Sequence, residues 1–142
     1  SATRDSLFGN TEAWEGLTDV FPRFKFTGLD PELTYDFTFY ASRMSVPAGQ
    51  NRQTMYTVIG ATFGSVTLDI ANNVSNTATF FGMAPNEFGE IEIALSPGPA
   101  NNNANHFTYL GVMEMVAIPE PGSVLFLMCS AGLFITRRRH RA

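Results

Sequence analysis

The sequence predicts an all-β fold, an antiparallel β-sandwich of jelly-roll or immunoglobulin-like kind followed by a short hydrophobic helix at the C-terminus. Three observations predict it. Apolar and polar residues alternate along short segments, turn-forming residues separate those segments at short intervals, and almost no stretch repeats with the helical period. Of the 142 residues, 44% are hydrophobic and 15% are charged, which suits one domain with a core of its own.

The first 18 residues are expected to form an irregular N-terminal arm that precedes a sandwich domain at residues 19–118. Gly9-Asn10 and Gly16 interrupt any regular pattern there, and Trp14 can dock the arm on the body. The chain begins at Ser1 without an initiator Met or an apolar leader. We therefore expect it to be a fragment, with an export leader preceding Ser1 in the full-length protein.

Strand-like alternation fills most of the sandwich domain. It is clearest between Leu33 and Arg43, where Tyr35, Phe37 and Phe39 fall on one face of the expected strand. Segments rich in Gly, Pro, Asn and Asp separate this strand from its neighbours, as turns do. We expect about seven strands, in chain order Val20–Gly28, Leu33–Arg43, Thr54–Gly60, Ser65–Ile70, Thr77–Met83, Glu90–Leu95 and Phe107–Ala117.

Charge and cysteine content separate the body from the tail. Residues 1–118 carry five basic and twelve acidic side chains, a net charge of −7, whereas residues 119–142 carry four arginines and one glutamate. An acidic body argues against nucleic acid as a partner. The single cysteine, Cys129, lies in the tail, so disulfides are not expected to stabilise the body.

Three different segments follow the expected domain boundary at Ile118-Pro119. Pro119-Glu120-Pro121 comes first, an uncharged and mostly apolar segment runs from Val124 to Thr136, and a cluster of arginines ends the chain. In this order and at this position, residues 119–142 resemble the PEP-CTERM sorting signal of bacterial exosortase substrates. The resemblance implies recognition at Pro119, Glu120 and Pro121 by an exosortase-type membrane processing enzyme, with cleavage near the tripeptide and transfer to a surface acceptor.

Membrane physics gives each part of this tail a separate role. The residues expected to enter the membrane are Val124, Leu125, Phe126, Leu127, Leu133, Phe134 and Ile135. Arginine is costly to move across a bilayer, so the terminal cluster is expected to stay in the cytoplasm and stop export. That cluster comprises Arg137, Arg138, Arg139 and Arg141.

The apolar segment is short for a membrane span. Val124–Thr136 contains 13 residues, about 20 Å of helix, whereas a bilayer core is about 30 Å thick. We therefore expect a transient inner-membrane anchor rather than a lasting one. A simple tail anchor, or a helix packed against the body, remains the alternative.

A second resemblance covers residues 20–117. It is carried by the segments Tyr35–Arg43, Asn51–Thr54, Tyr56–Val58, Leu68-Asp69, Asn72-Asn73, Pro85–Ile93 and Tyr109–Gly111. These are similar to a β-sandwich domain of exported bacterial proteins that sometimes follows a GDSL-type (SGNH) esterase and has no settled biochemical role. Asp5-Ser6-Leu7 matches part of an esterase nucleophile block. It lacks the preceding Gly and the Asp-x-x-His partner, so we expect a chance match and no enzyme.

Two arginines around one loop form the candidate ligand site. Arg43 and Arg52 could bind a sugar or a carboxylate, because guanidinium groups pair with planar anions and with hydroxyl pairs. The favoured alternative is structural, with each arginine paired to an acid such as Asp36 or Asp69 or holding loop carbonyls. The phenylalanines are expected to be mostly core, so the residues proposed for an exposed stacking face are Tyr40, Tyr56 and Trp14.

Calcium is the one cofactor that the sequence leaves open. The oxygens could come from Asn101-Asn102-Asn103, Asn72-Asn73, Asp69 and Asp30. Calcium takes six to eight oxygens, usually with several carboxylates, and no EF-hand spacing is present. Because asparagine tolerates left-handed turns, turn formation explains both asparagine clusters without a metal.

Together these observations predict a non-enzymatic exported protein of the cell surface or the extracellular matrix. It would be anchored transiently in the inner membrane by its C-terminus before reaching the surface. The alternative is a carbohydrate-binding accessory module of a larger secreted hydrolase, with a polysaccharide as its partner.

Overall fold

The computed structural model describes residues 6–119 of the chain, and all of its regular structure there is β-strand. The expected C-terminal helix, the arginine cluster and all of the sorting tripeptide except Pro119 lie outside the described residues. Nine strands follow in chain order: β1 Leu7–Gly9, β2 Arg23–Phe26, β3 Leu33–Tyr40, β4 Gln53–Ile59, β5 Phe63–Asp69, β6 Ala78–Met83, β7 Ile91–Pro97, β8 Thr108–Leu110 and β9 Val112–Pro119.

The strands form antiparallel sheets, which confirms the predicted all-β, sandwich-like fold. One sheet has four strands in the order β2-β7-β4-β5, and the other has three in the order β6-β3-β9. The short strands β1 and β8 pair separately, with Phe8 opposite Tyr109. No helix of the described part of the chain is both long and apolar enough to cross a membrane.

The core lies between the two larger sheets. Phe37 and Phe39 of β3 and Tyr56 of β4 are fully buried; we call these three residues the core aromatic cluster. The Phe39 ring lies 4.4 Å from the Tyr56 ring and 6.4 Å from the Phe37 ring, in both cases nearly parallel. Burying one such side chain contributes about 1.5–3 kcal/mol, so this cluster holds the two sheets together. The prediction that Tyr35, Phe37 and Phe39 share one face of their strand is confirmed, and that face is buried.

Opposite charges are paired on the outer face of the four-stranded sheet. Arg23 Nε lies 3.0 Å from Glu92 Oε1, and Lys25 Nζ lies 3.0 Å from Glu90 Oε2. Each pair is solvated and contributes at most about 1 kcal/mol. These two pairs neutralise the charges of Arg23 and Lys25.

The structure has more strands than the sequence predicted, and the differences lie at the two ends of the domain. The N-terminal arm contains β1, whose three residues are too few to show a period. The last expected strand, Phe107–Ala117, is two strands, because the chain changes partner at Gly111. β8 pairs with β1, whereas β9 pairs with β3.

Candidate functional site

Arg43 follows β3 in a loop that the neighbouring chain holds in place. Its backbone amide donates to Ile70 O at 2.8 Å, and its carbonyl accepts from the Asn72 amide at 2.8 Å. The Asn72 side chain then bonds both the amide and the carbonyl of Val46, at 3.0 and 2.9 Å. The backbone around Arg43 is therefore fixed while its side chain stays exposed.

Arg52 precedes β4 and has an oriented guanidinium group. Its Nε donates to Gln50 Oε1 at 2.9 Å, and its Nη1 donates to Tyr109 Oη at 3.1 Å. Its Cζ lies 5.5 Å from the centre of the Phe107 ring, within the range of a cation–π interaction. Three partners hold this group, so its remaining N–H donors point in a defined direction.

Neither arginine is paired with the carboxylates that the structural alternative named. Asp69 Oδ1 accepts from the backbone amides of Arg52 and Ala71, at 3.1 and 3.0 Å. Asp36 Oδ1 accepts from the Gly82 amide at 2.8 Å. Within residues 6–119 the ion pairs are those of Arg23 and Lys25, so the carboxylate partners suggested for Arg43 and Arg52 are engaged elsewhere.

Three aromatic side chains lie beside these arginines. Phe8 belongs to β1, Tyr109 belongs to β8, and Phe107 directly precedes β8. Their ring centres are 6.0–6.4 Å apart, and we call them the edge aromatic cluster. The pairing of β1 with β8 brings Phe8 into the group. Gly9 of β1 packs closely on the segment Val20–Pro22, because a Cβ there would lie 2.5 Å from Val20 O and 2.7 Å from Pro22 Cδ. Only glycine lets the arm pass this close.

The arginines and the edge aromatic cluster line one open cavity of about 440 Å³, which we call the arginine basin. Its lining residues are Ser6, Phe8, Arg43, Arg52, Phe107 and Tyr109. The volume lies within the range of small-ligand sites, which combine apolar walls with a few polar groups that orient the ligand. The structure thus brings together the two arginines that the sequence singled out.

Tyr56 does not lie on an exposed stacking face, which corrects that expectation. It is 0% exposed in the core, because β4 is an inner strand of its sheet and Thr54, Tyr56 and Val58 face inward. Its hydroxyl donates to Tyr109 O at 2.7 Å. Burial of this hydroxyl raises the pKa of Tyr56 well above its usual range.

The other two stacking candidates lie outside the arginine basin. Tyr40 is half-buried at the end of β3, opposite Val112. Trp14 is 72% exposed in the N-terminal arm. It lines a separate groove of about 330 Å³ with Phe8, Gly9, Asn10, Glu12, Leu17 and Val20. Phe8 is common to the groove and the basin.

Sequence reasoning missed the edge aromatic cluster, although Phe107 and Tyr109 are spaced for one face of a strand. Most of the phenylalanines were expected to be core, and none was proposed for a stacking face. The signal that could have found this cluster is its neighbourhood, since Phe107 follows the polar segment Asn101–His106 and Phe8 precedes Gly9-Asn10. Aromatic residues beside such turn-rich segments lie at the ends of strands, where a sandwich is open.

The asparagine clusters are built into turns. Asn73 Nδ2 donates to Ala41 O and Asn76 O, at 2.9 and 2.8 Å. Asn101 Nδ2 donates to Gln53 O and Phe107 O, at 3.1 and 3.0 Å. Asn72 adopts a left-handed backbone, with φ of 50°. Among residues 6–119 no group of three His, Cys, Asp or Glu side chains lies close enough to hold a metal ion.

Comparison with known proteins gives no relative from which a role could be transferred: no family model matches the chain, and neither a curated protein nor a solved structure matches it significantly.

Proposed function

We propose that this chain is a non-enzymatic exported protein of the bacterial surface or extracellular matrix, sorted through its C-terminus. The observation that carries the proposal is the position of Pro119. It is the first residue of the Pro-Glu-Pro tripeptide and also the last residue of β9, where it pairs with Leu33. The proposed recognition motif therefore begins at the last residue of the last strand within residues 6–119.

This position suits processing by a membrane enzyme. Pro119 is exposed, and prolines keep a chain extended, which is the backbone form that a protease or transpeptidase can bind. Cleavage beyond the tripeptide would leave the nine strands within residues 6–119 intact. In this proposal the body is a sandwich of jelly-roll or immunoglobulin-like kind. A short C-terminal hydrophobic helix and its arginines hold it transiently at the inner membrane until an exosortase-type enzyme releases it.

Replacing the tripeptide tests this proposal. In a bacterium that carries the processing pathway, we expect the variant with Pro119, Glu120 and Pro121 changed to alanine to remain unprocessed and membrane-bound. Cell fractionation and the mass of the accumulated chain measure this outcome. A matched control changes two exposed loop prolines, Pro47→Ala and Pro99→Ala, and should be processed normally. Normal processing of the tripeptide variant would refute the proposal.

The arginine basin favours a second candidate function, a carbohydrate-binding module that accompanies a larger secreted hydrolase. Guanidinium groups donate several hydrogen bonds to hydroxyl pairs or carboxylates, and exposed aromatic faces pack against the C–H face of a sugar ring. Arg43, Arg52 and Phe8 supply both features in one cavity.

Affinity electrophoresis tests the second candidate. The full 142-residue chain, kept soluble in a nonionic detergent, should be retarded by at least one polysaccharide of a panel containing neutral and acidic polymers. Parallel gels with Ca²⁺ and with a chelator would show whether the ion contributes. Unchanged mobility on every polymer under both conditions would eliminate this candidate.

A further inference from the structure

Basic charge in the described part of the chain is concentrated at the arginine basin. Residues 6–119 contain four basic side chains and eleven acidic ones. Arg23 and Lys25 are paired with glutamates on the outer face of the four-stranded sheet. The other two, Arg43 and Arg52, line the same basin. A small positive site therefore lies on an otherwise negative surface.

We propose that the arginine basin binds the carboxylate of an acidic sugar, a uronic acid residue within a polysaccharide. This inference rests on the second candidate function and specifies its ligand. A guanidinium group has five N–H donors. Arg52 uses donors on Nε and Nη1 within the protein, which leaves three. Arg43 uses none of its side-chain donors within residues 6–119, so the two groups together can hold both carboxylate oxygens and a neighbouring hydroxyl.

The edge aromatic cluster supplies the other half of the recognition. Phe8 is 57% exposed, so its ring offers an apolar face at the rim of the basin. The half-buried Phe107 ring lies under the Arg52 guanidinium and helps to orient it. Tyr109 Oη accepts a hydrogen bond from Arg52 Nη1, which leaves its own O–H free to donate to a sugar hydroxyl. A pyranose ring with one carboxylate matches this mixture of apolar, donor and cationic groups.

Charge selects this ligand class over more highly charged ones. Two arginines can neutralise one or two carboxylates. A nucleic acid or a densely sulfated glycan would bring many negative charges against eleven acidic side chains, and such a ligand would be repelled. A uronic acid residue among neutral sugars brings only one charge to the basin, which limits this repulsion.

Isothermal titration calorimetry of the 142-residue chain in nonionic detergent tests the proposal with two probes, tri-galacturonate and its fully methyl-esterified form. The ester keeps the sugar rings and removes the charge. We expect the acid to bind at least about tenfold more tightly than the ester, because the ester loses the charge-assisted hydrogen bonds to the guanidinium groups. Affinity for the acid should also fall as salt is raised.

Three variants locate the binding. Arg43→Gln and Arg52→Gln should each weaken acid binding about tenfold or more, whereas Arg23→Gln, which removes an exposed arginine outside the basin, should leave it unchanged. Arg43→Gln is the decisive variant, because its side chain has no hydrogen bond within residues 6–119 that folding would lose. Its melting temperature should match that of the wild type.

The other outcomes overturn the proposal in distinguishable ways. Equal binding of acid and ester, or retardation by neutral polymers alone, would refute the carboxylate site and leave carbohydrate binding standing. Equal loss in Arg23→Gln and Arg43→Gln would show a diffuse charge effect and refute the basin as the site. No binding of either probe, together with no retardation by any polymer, would refute both the inference and the second candidate function.

Discussion

The two aromatic clusters of this domain are built from the same residue types and differ in what covers them. In the core aromatic cluster, Phe39 is 0% exposed and its ring stacks at 4.4 Å on Tyr56 of the opposite sheet. In the edge aromatic cluster, Phe8 is 57% exposed and its neighbours lie more than 6 Å away. The first cluster is enclosed by two sheets, whereas the second lies against a two-stranded pairing that is open on one side.

This difference separates stability from binding. Enclosed rings contribute dispersion and burial energy but are inaccessible to a ligand. The exposed Phe8 ring contributes less to folding and keeps a face available beside Arg43 and Arg52, whereas Tyr109 of the same cluster is buried against the core. One hydrogen bond connects the two clusters, from the Tyr56 hydroxyl to the Tyr109 carbonyl, so the buried tyrosine also fixes the backbone of the edge cluster.

The largest expected contrast comes from truncating one ring in each cluster. Phe39→Ala should lower the free energy of unfolding by about 3–5 kcal/mol, because it opens a cavity between the sheets. Phe8→Ala should lower it by about 1 kcal/mol or less, since water already reaches that ring. Urea denaturation of both variants measures the difference. Similar losses would show that the edge cluster is as much a part of the core as Phe39.

Removing the Tyr56 hydroxyl, which connects the two clusters, should lower the free energy of unfolding by an intermediate amount. Tyr56→Phe keeps the buried ring but leaves the Tyr109 carbonyl without this donor, which should cost about 1–2 kcal/mol. Tyr40→Phe is the matched control, because the Tyr40 hydroxyl has no hydrogen-bond partner among residues 6–119. Equal urea midpoints for the two variants would mean that the connection contributes nothing.

The same hydroxyl should make the domain sensitive to alkali. Burial raises the pKa of Tyr56 above its usual range, so folding favours the protonated phenol. The resulting stability is fully present below the unfolded-state pKa of about 10 and is lost as the pH rises from there toward the folded pKa. In the wild type, Tyr56 should therefore ionise only on unfolding, as measured by phenolate absorbance. The contribution of Tyr56 to the absorbance rise on unfolding should disappear in Tyr56→Phe and persist in Tyr40→Phe.

Sequence pattern predicted two of the three rings of the core cluster, misplaced the third and missed the edge cluster. Alternation with a period of two reports which residues of a strand share a face, and it therefore placed Phe37 and Phe39 correctly. Tyr56 was expected on an exposed stacking face, yet it shares the buried face of β4 with Thr54 and Val58. The Tyr109 carbonyl satisfies its hydroxyl in the core, a contact between distant residues that alternation does not show.

The sequence predicted the two arginines of the candidate site but not its aromatic residues. Arg43 and Arg52 stood out because basic residues are rare in the body and these two flank one loop. Their aromatic neighbours come from β1 and β8, which are distant in the sequence and three residues long. Neither strand shows a period, and the close approach that Gly9 allows is a tertiary feature. The concentration of unpaired positive charge at the basin also depends on the fold, because Glu92 and Glu90 pair with Arg23 and Lys25 only in the folded sheet.

The smallest expected effect is a change in the pKa of Glu90, which is paired with Lys25 away from the basin. A hydrogen bond from Lys25, with a second from Asn86, lowers the pKa of Glu90. The stability linked to this carboxylate is therefore present above its unfolded-state pKa and is lost as the pH falls through the lower, folded value.

Lys25→Met should raise the pKa of Glu90 toward its ordinary value, but not fully to it, because Asn86 still donates. Carbon-detected NMR titration of the glutamate carboxyls measures this shift. Arg43→Gln should leave the pKa of Glu90 unchanged, since solvent and salt screen charges that are not in contact. If Arg43→Gln shifted it as much as Lys25→Met, charge would be shared across the whole surface. The basin would then lose the isolation on which its selectivity for a single carboxylate depends.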